Sequence, residues 1–258
     1  MTELLMRGAV VTGANRGIGK AIALAFLRAG WPVTAVVRNP ESAGPLRREA
    51  GEHAARLFLA TADLADAAQV EALGAELAGR DAVPGVLVNN AGIELSAPLH
   101  GTTAADLQRV LAINTVAPYL LCRALIPAMA QNDGGRVVNI GSIASLKGIR
   151  YTSAYCASKH ALLGLTRALA AEWASKAVTV NLVAPGWTET DMLFRALDKV
   201  VTRTGRTPEQ ARAAVLAHNP MGRAIAPDDV AALVLYLASP AASSITGAAL
   251  PVDAGELL

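Results

Sequence analysis

Cysteine is scarce in this 258-residue sequence: Cys122 and Cys156 are the only two. With no paired spacing they exclude a disulfide framework and a cysteine zinc site. They fit a reducing compartment, so a cytoplasmic location is expected. Histidine is thin as well. His53, His100, His160 and His218 are scattered and make no ligand pattern, so no metal site is expected. Excess charge of either sign is missing. A formal net charge of +2 gives no electrostatic case for nucleic acid or an anionic membrane as the main partner. The first residues lack the pattern of a secretory signal, since Glu3 and Arg7 run directly into a strand-like segment. Residues 230–252 carry no formal charge, yet Ser239-Pro240, Ser243-Ser244 and Gly247 interrupt them. The two halves differ in period, so the stretch reads as helix, turn and strand rather than a membrane span. No linker, low-complexity tract or internal repeat divides the chain. Length alone would admit two domains, but a 53% hydrophobic composition is ample for one large core, and one domain over 1–258 is expected.

What is present is alternation. Short apolar runs at 9–11, 33–37, 56–60, 85–88, 136–140, 178–183 and 249–252 read as strands. Helical patterns fill the gaps, at 18–29, 41–51, 65–78, 103–130, 152–175 and 227–237. The long helix at 103–130 is expected to bend near Pro118. Residues 189–218 are mixed, with helical patches and no strand. Repeated β-α order implies an α/β fold: a doubly wound parallel sheet, Rossmann-like, flanked by helices on both faces. Ligands of such sheets bind beyond the carboxyl ends of the strands, where strand order reverses.

The first strand leads into Thr12-Gly-Ala-Asn-Arg-Gly-Ile-Gly19, and a helix follows at once. Gly13, Gly17 and Gly19 thus sit between a strand and a helix N-terminus. Unpaired backbone N–H groups and the positive dipole end converge there, and glycine lets an anion approach the backbone. A phosphate is the expected occupant; a plain tight turn is the bland alternative. The spacing differs from the usual dinucleotide fingerprint, and no Gly-Lys-Ser/Thr follows to make a Walker loop. After the second strand, where NAD-binding sheets carry a carboxylate for the ribose hydroxyls, stand Val37 and Arg38. Arg16 lies in the glycine loop. Two guanidiniums and no carboxylate suit a 2′-phosphate, so NADP(H) is expected over NAD(H); the alternative is a pair of solvated arginines.

Ser142 follows the fifth strand, and Tyr155-Cys-Ala-Ser-Lys159 comes thirteen residues later. Tyr155 and Lys159, four apart in a helical stretch, share one face. A phenol with a reference pKa of about 10 is a poor base near neutrality, but a neighbouring ammonium favours phenolate. Tyr155 then becomes a usable acid or base. Asn114 is an awkward residue for a helix interior and could hold a water in a proton relay to Lys159.

Thr12-Gly-x-x-x-Gly-x-Gly19, Asn89-Asn-Ala-Gly92, Asn114, Ser142 and Tyr155-x-x-x-Lys159 occur in the order and at about the spacing of the short-chain dehydrogenase/reductase family. The chain resembles that family's compact, single-domain branch over nearly its whole length. The segment Val183-Ala-Pro-Gly-Trp-Thr-Glu-Thr-Asp-Met192 looks most like β-ketoacyl carrier-protein reductases. The resemblance implies a catalytic set of Asn114, Ser142, Tyr155 and Lys159. It implies cofactor contacts from Gly13, Asn15, Arg16, Gly17, Ile18 and Gly19 in the loop, and from Arg38 after the second strand. Asp63 and Leu64 would meet the adenine, with Asp63 alternatively serving as a helix cap. Asn90, Ala91 and Gly92 would approach the ribose. Lys159 would hold the nicotinamide ribose beside Tyr155, and Pro185, Gly186 and Thr188 would meet the nicotinamide and phosphates.

The implied reaction is hydride transfer between NADP(H) and a carbonyl or secondary alcohol, with Ser142 on the substrate oxygen and Tyr155 supplying the proton. A thioester-linked ketone is the first substrate expected and a cyclic or polyol alcohol the second. A cofactor sensor without turnover is a third reading, which the joint presence of Ser142, Tyr155 and Lys159 opposes. Residues 189–223 read as a lid, with Arg195, Lys199, Arg203, Arg206 and Arg212 facing either water or an acidic carrier. Pocket walls are expected from 94–97, 146–151 and the lid. The two long helices are apolar around much of their surface, which with the resemblance suggests a homo-oligomer, a tetramer.

Overall fold

The structure, a computed structural model, describes residues 7–258; Glu3, used above against a signal sequence, lies outside them. Seven strands form one sheet: β1 (Ala9–Thr12), β2 (Val33–Val37), β3 (Leu57–Thr61), β4 (Val86–Asn89), β5 (Gly135–Ile140), β6 (Val178–Pro185) and β7 (Ala249–Val252). Their order is β3-β2-β1-β4-β5-β6-β7 and every pairing is parallel. The order reverses between β1 and β4, which places the ligand crevice at their carboxyl ends.

The near-continuous apolar runs follow from burial on both faces. Along β1, Ala9 and Val11 enter one core, while Val10 enters the other. The first core lies under α1 (Gly17–Arg28), α2 (Gly44–Ala50) and α9 (Pro227–Ala238), around Phe26, Leu46, Val234 and Leu237. The second lies under α3 (Ala67–Ala78) and α5 (Ala117–Gln131), around Val70, Leu77, Leu121, Leu125 and Met129. Gly30, with φ +90, reverses the chain after α1, and the N–H groups of Gly30 and Trp31 bond the carbonyls of Leu27 and Phe26.

Several boundaries differ from expectation. The helix expected from residue 65 starts at Ala67, because Asp66 rather than Asp63 caps it, accepting from the N–H groups of Ala68 and Gln69. The bend expected at Pro118 is instead a π-helical turn, Ala112–Val116, between α4 (Ala104–Leu111) and α5. Pro118 sits in the first turn of α5, where its missing N–H costs nothing. Residues 104–131 are long and apolar enough to cross a membrane by length and composition, yet half of their most apolar 18-residue window is buried, as befits a core helix. The segment 230–252 is indeed the end of a helix, a 3-10 turn and a strand. α6 (Ser153–Trp173) packs along β6. The lid holds α7 (Asp191–Thr204) and α8 (Pro208–Val215) around a small core of Leu193, Leu216 and Ala224.

Candidate active site

At the end of β1 the Thr12 hydroxyl accepts hydrogen bonds from the Asn90 and Ala91 N–H groups, each at 3.0 Å. The Asn90 amide donates back to the carbonyls of Thr12 at 2.8 Å and Gly13 at 3.3 Å. These bonds lock the glycine loop to the turn after β4. Gly13 and Gly17 have φ of +64 and +52, which side chains resist. Gly19 is needed for space: a Cβ there would lie 2.3 Å from both Asn90 Nδ2 and the Gly13 carbonyl oxygen. Arg16 takes the N-cap position of α1 in extended conformation and no side chain caps the helix, so its first-turn N–H groups remain open to an anion. The loop, its bare helix end and its crowding against Asn90 fit a bound pyrophosphate. Gly19→Ala is expected to lower the melting temperature, by roughly 1–3 kcal/mol of overpacking, and to weaken dinucleotide binding; calorimetry and cofactor titration measure both.

The arginines stand at the rim. Arg38 is exposed and has no ion pair or hydrogen bond among the described residues. Arg16 pairs with Asp191 at the start of α7, at 3.2 Å. Asp63 is half-buried and turns on itself, accepting from Ala65 N–H. Below, a buried chain of side chains ties β4, β5 and α6: Asn89 donates to Asn139 at 2.9 Å, and Asn139 donates to Thr166 at 2.9 Å. Cys122 closes this layer, its thiol pushed up to about 12 by burial.

Ser142 opens a 3-10 turn directly after β5, its hydroxyl accepting from Ala144 N–H at 3.1 Å. Tyr155 and Lys159 follow on α6. The Tyr155 phenol lies near enough to Ser142 for that hydroxyl to act on it, and the Lys159 ammonium lies 5.8 Å from the Tyr155 ring centre. Lys159 is buried, with 4% exposure, and donates to the Ile140 carbonyl at 2.8 Å. Burial lowers its pKa to about 8. Burial raises the Tyr155 pKa above the usual phenol value; the Ser142 hydroxyl offsets part of this, while Glu94 and Cys156 add to it. The expected drift toward phenolate is therefore not a property of the unliganded site, where burial is the largest influence on the phenol. The phenol is held protonated, ready to donate.

Asn114 sits in the π-turn, 1% exposed. Its Oδ1 accepts from Ile93 N–H at 2.9 Å, and its Nδ2 donates to the Ile93 carbonyl at 2.9 Å and to Ser158 Oγ at 3.0 Å. The side chain thus holds the loop after β4. It still converges with Lys159 on one point, since a Cβ on Gly92 would lie 3.3 Å from Asn114 Oδ1 and 3.5 Å from Lys159 Nζ.

Thr188, expected at the phosphates, is buried, and its hydroxyl donates to the Gly186 carbonyl. Two residues on, Thr190 packs on the glycine loop: its Cγ2 lies 3.1 Å from where a Gly17 Cβ would be. Pro185 ends β6, and Gly186 is pressed against Asp253, 3.1 Å from a virtual Cβ to its Cα. A cavity of about 530 Å³ lies beside the site, lined by Ala97, Leu99, Ile149, Tyr151 and Cys156 among others. The Ala97 N–H bonds the Tyr151 carbonyl at 2.8 Å, so the two expected pocket walls are tied together.

Residues 13–256 match the family model described as Enoyl-(Acyl carrier protein) reductase. The galactitol 2-dehydrogenase (L-tagatose-forming) of Cereibacter sphaeroides is 39% identical over 96% of this chain and 93% of its own. A 3-oxoacyl-(acyl-carrier-protein) reductase of Vibrio harveyi is 34% identical over 96% of both. Among solved structures, one from Beutenbergia cavernae, described as an NAD(P)-dependent gluconate 5-dehydrogenase with NADP at low occupancy, is 40% identical. It superposes with a TM-score of 0.86 over 96% of both chains. A variant of the actinorhodin polyketide ketoreductase with NADPH is 32% identical, with a TM-score of 0.92 over 99% of both.

Proposed function

The chain belongs to the short-chain dehydrogenase/reductase family, and from its site we propose a single-domain NADP(H)-dependent oxidoreductase that interconverts a carbonyl and a secondary alcohol. One observation carries the reading: Ser142 at the carboxyl end of β5 stands beside the Tyr155 phenol, with buried Lys159 one turn along the same helix face. When bound, the nicotinamide dinucleotide supplies or accepts the hydride. Ser142 and Tyr155 hold the substrate oxygen between them. In reduction Tyr155 gives its proton to that oxygen, and in oxidation it takes it back. Lys159, charged below about pH 8, stabilises the phenolate left behind and offers its remaining N–H bonds to the ribose hydroxyls. Asn114 acts as a positioning residue by fixing Ile93. Thr190 joins Gly13, Asn15, Gly17, Ile18 and Gly19 around the phosphates, while Asp63, Leu64, Asn90 and Ala91 line the adenosine side.

The 3-oxoacyl-(acyl-carrier-protein) reductase and the polyketide ketoreductase among the relatives support carbonyl reduction of the ketoreductase kind. The galactitol and gluconate dehydrogenases among the relatives support the second reading, a polyol dehydrogenase. A basic lid greeting an acidic carrier has less support, because Arg212 pairs with Glu189 at 2.7 Å and Arg195 and Lys199 act on Glu94. Exposed Val116 and Tyr119 on the π-turn and α5 support the homo-oligomer. A panel of ketones and alcohols with NADPH and NADP⁺, followed by reduced-nicotinamide absorbance, tests the reading; silence across the panel would overturn it.

Cofactor choice rests on Arg16 and Arg38. The exposed Arg16–Asp191 pair contributes at most about 1 kcal/mol, so a 2′-phosphate can displace it. NADPH is expected to bind more tightly than NADH, and Arg38→Asp to remove or reverse the preference with at least about a tenfold loss of NADPH affinity. Equal binding of the two cofactors by the unaltered protein, read by titration, would sink this.

A further inference from the structure

The segment after β7, residues 253–258, is rolled into a tight turn and has no part in the roles assigned above. The Asp253 carboxylate accepts from the N–H groups of Gly255 at 3.1 Å and Leu257 at 2.9 Å, and the Glu256 N–H bonds the Asp253 carbonyl at 3.2 Å. Three walls of the site meet on this turn. Gly186, just past β6, donates its N–H to the Val252 carbonyl and presses on Asp253. The lid reaches the turn through the Met221 N–H, bonded to the Ala254 carbonyl, and through Pro220, whose Cγ lies 3.1 Å from where a Gly255 Cβ would be. The third wall is the 3-10 turn that Ser142 opens. Lys147, two residues beyond it, returns its N–H to the Ile143 carbonyl at 3.0 Å. Its ammonium crosses to Glu256, donating to the main-chain carbonyl at 2.9 Å, with the carboxylate Oε1 at 3.5 Å. The Glu256 side chain is 8% exposed, and its Oε2 is buried and accepts no hydrogen bond among the described residues. A buried carboxylate with one oxygen unpartnered is costly, and a buried ion pair commonly adds little net stability. What the pair does supply is a fixed distance between the end of β7 and the turn that carries Ser142.

We propose that Lys147 and Glu256 are a positioning pair for the reaction: their link holds the turn that presents Ser142 to the substrate oxygen, and with it the cavity wall at 148–151. This rests on the oxidoreductase reading above and adds two groups that act through Ser142 rather than on substrate or cofactor. The same link fixes the chain beyond Lys147. Cys156 Sγ accepts from the Ile149 N–H at 3.4 Å and faces the Lys147 carbonyl at 3.9 Å, so a released Lys147 loosens the cover over this thiol. Placement matters steeply here, because a shift of about 1 Å in a group on the reacting atoms can cost up to about 10²-fold in rate.

The test variant is Lys147→Met with Glu256→Gln, which cuts the link and strands no charge. Ethyl acetoacetate with NADPH, or the panel's best ketone, is the probe. It is followed in single turnovers with enzyme in excess, so that slow variants are still read. The hydride-transfer rate should fall by about tenfold, with substrate affinity, NADPH affinity and melting temperature close to wild type. Lys147→Arg, which keeps a cation on the same partners, should retain most of the rate. The decisive readout is a double-mutant cycle. In a Ser142→Ala background, cutting the link should slow the reaction by less than about twofold, because the group it positions is gone; independent sites would add. A readout without turnover is the labelling of Cys156 by a chromogenic disulfide, with fully buried Cys122 silent; cutting the link should speed it. An unchanged rate, an equal loss with and without the Ser142 hydroxyl, or unchanged Cys156 labelling each overturns the proposal and leaves the oxidoreductase reading standing. A wild type without turnover on any panel member overturns that reading and the proposal with it.

Discussion

Replacing Tyr155 by phenylalanine is expected to lower turnover by about 10²–10⁴-fold, the usual contribution of a placed general acid. Fold and cofactor affinity should be nearly untouched. The ring keeps its place on α6, 5.8 Å from the Lys159 ammonium; only the hydroxyl beside Ser142 is lost. Ser142 keeps its bond from the Ala144 N–H, so the turn after β5 should hold. Steady-state kinetics and a cofactor titration on the same variant separate chemistry from binding. Near-normal turnover would end the mechanism, because Tyr155 is the group assigned to give the proton.

The second large effect is at Lys159. Lys159→Met should remove most turnover and also weaken cofactor binding, since one ammonium serves both the phenol and the ribose. Stability should move the other way. The group is 4% exposed, with one carbonyl partner, and burial lowers its pKa from 10.5 to about 8. A depressed lysine pKa means that the folded state releases its proton before the unfolded chain does. Between about pH 8 and pH 10.5 the unfolded chain binds more protons, so this group's contribution to stability rises with pH. Below about pH 8 the fold carries the full cost of a buried charge, on the order of a few kcal/mol. The Met variant should therefore melt at the same or a higher temperature near neutrality, and the gap should close as pH approaches 10. Loss of activity with gain of stability is the pattern of a site strained for its function. A lower melting temperature at neutral pH would show that the ammonium is well solvated by its surroundings and refute the account.

The parts of this molecule that read directly from sequence are those whose cause is local. The β1 run of Ala9, Val10 and Val11 is apolar because both faces are covered, and a four-residue spacing puts Tyr155 and Lys159 on one helix face wherever that helix lies. Parts set by packing did not read. Asp63 and Asp66 are chemically the same; the offset to Gln69, whose side chain bonds both the Asp66 carboxylate and the Asp63 N–H, decides which one caps α3. Thr188 and Thr190 differ only in which of them packs on Gly17. The ammonium near Tyr155 was legible, but desolvation, which dominates the phenol, depends on how much of the fold closes over it.

The π-turn at Ala112–Val116 has a consequence for the phase of the helix around it. A turn closed over five residues instead of four holds one residue more than an α-helix of the same rise, so α5 is rotated relative to α4 by about 100°, one residue's share of a 3.6-residue turn. That offset lets α4 and α5 obey different neighbours. α4 exposes most of its length, with Val110 its only buried residue, whereas α5 buries Leu121, Leu125 and Met129 against the sheet. Asn114, at the seam, faces neither way but inward to Ile93 and Ser158. Removing one residue here would restore an ideal helix and bring both halves into a single phase. The long helix could then satisfy the sheet or the site, and not both.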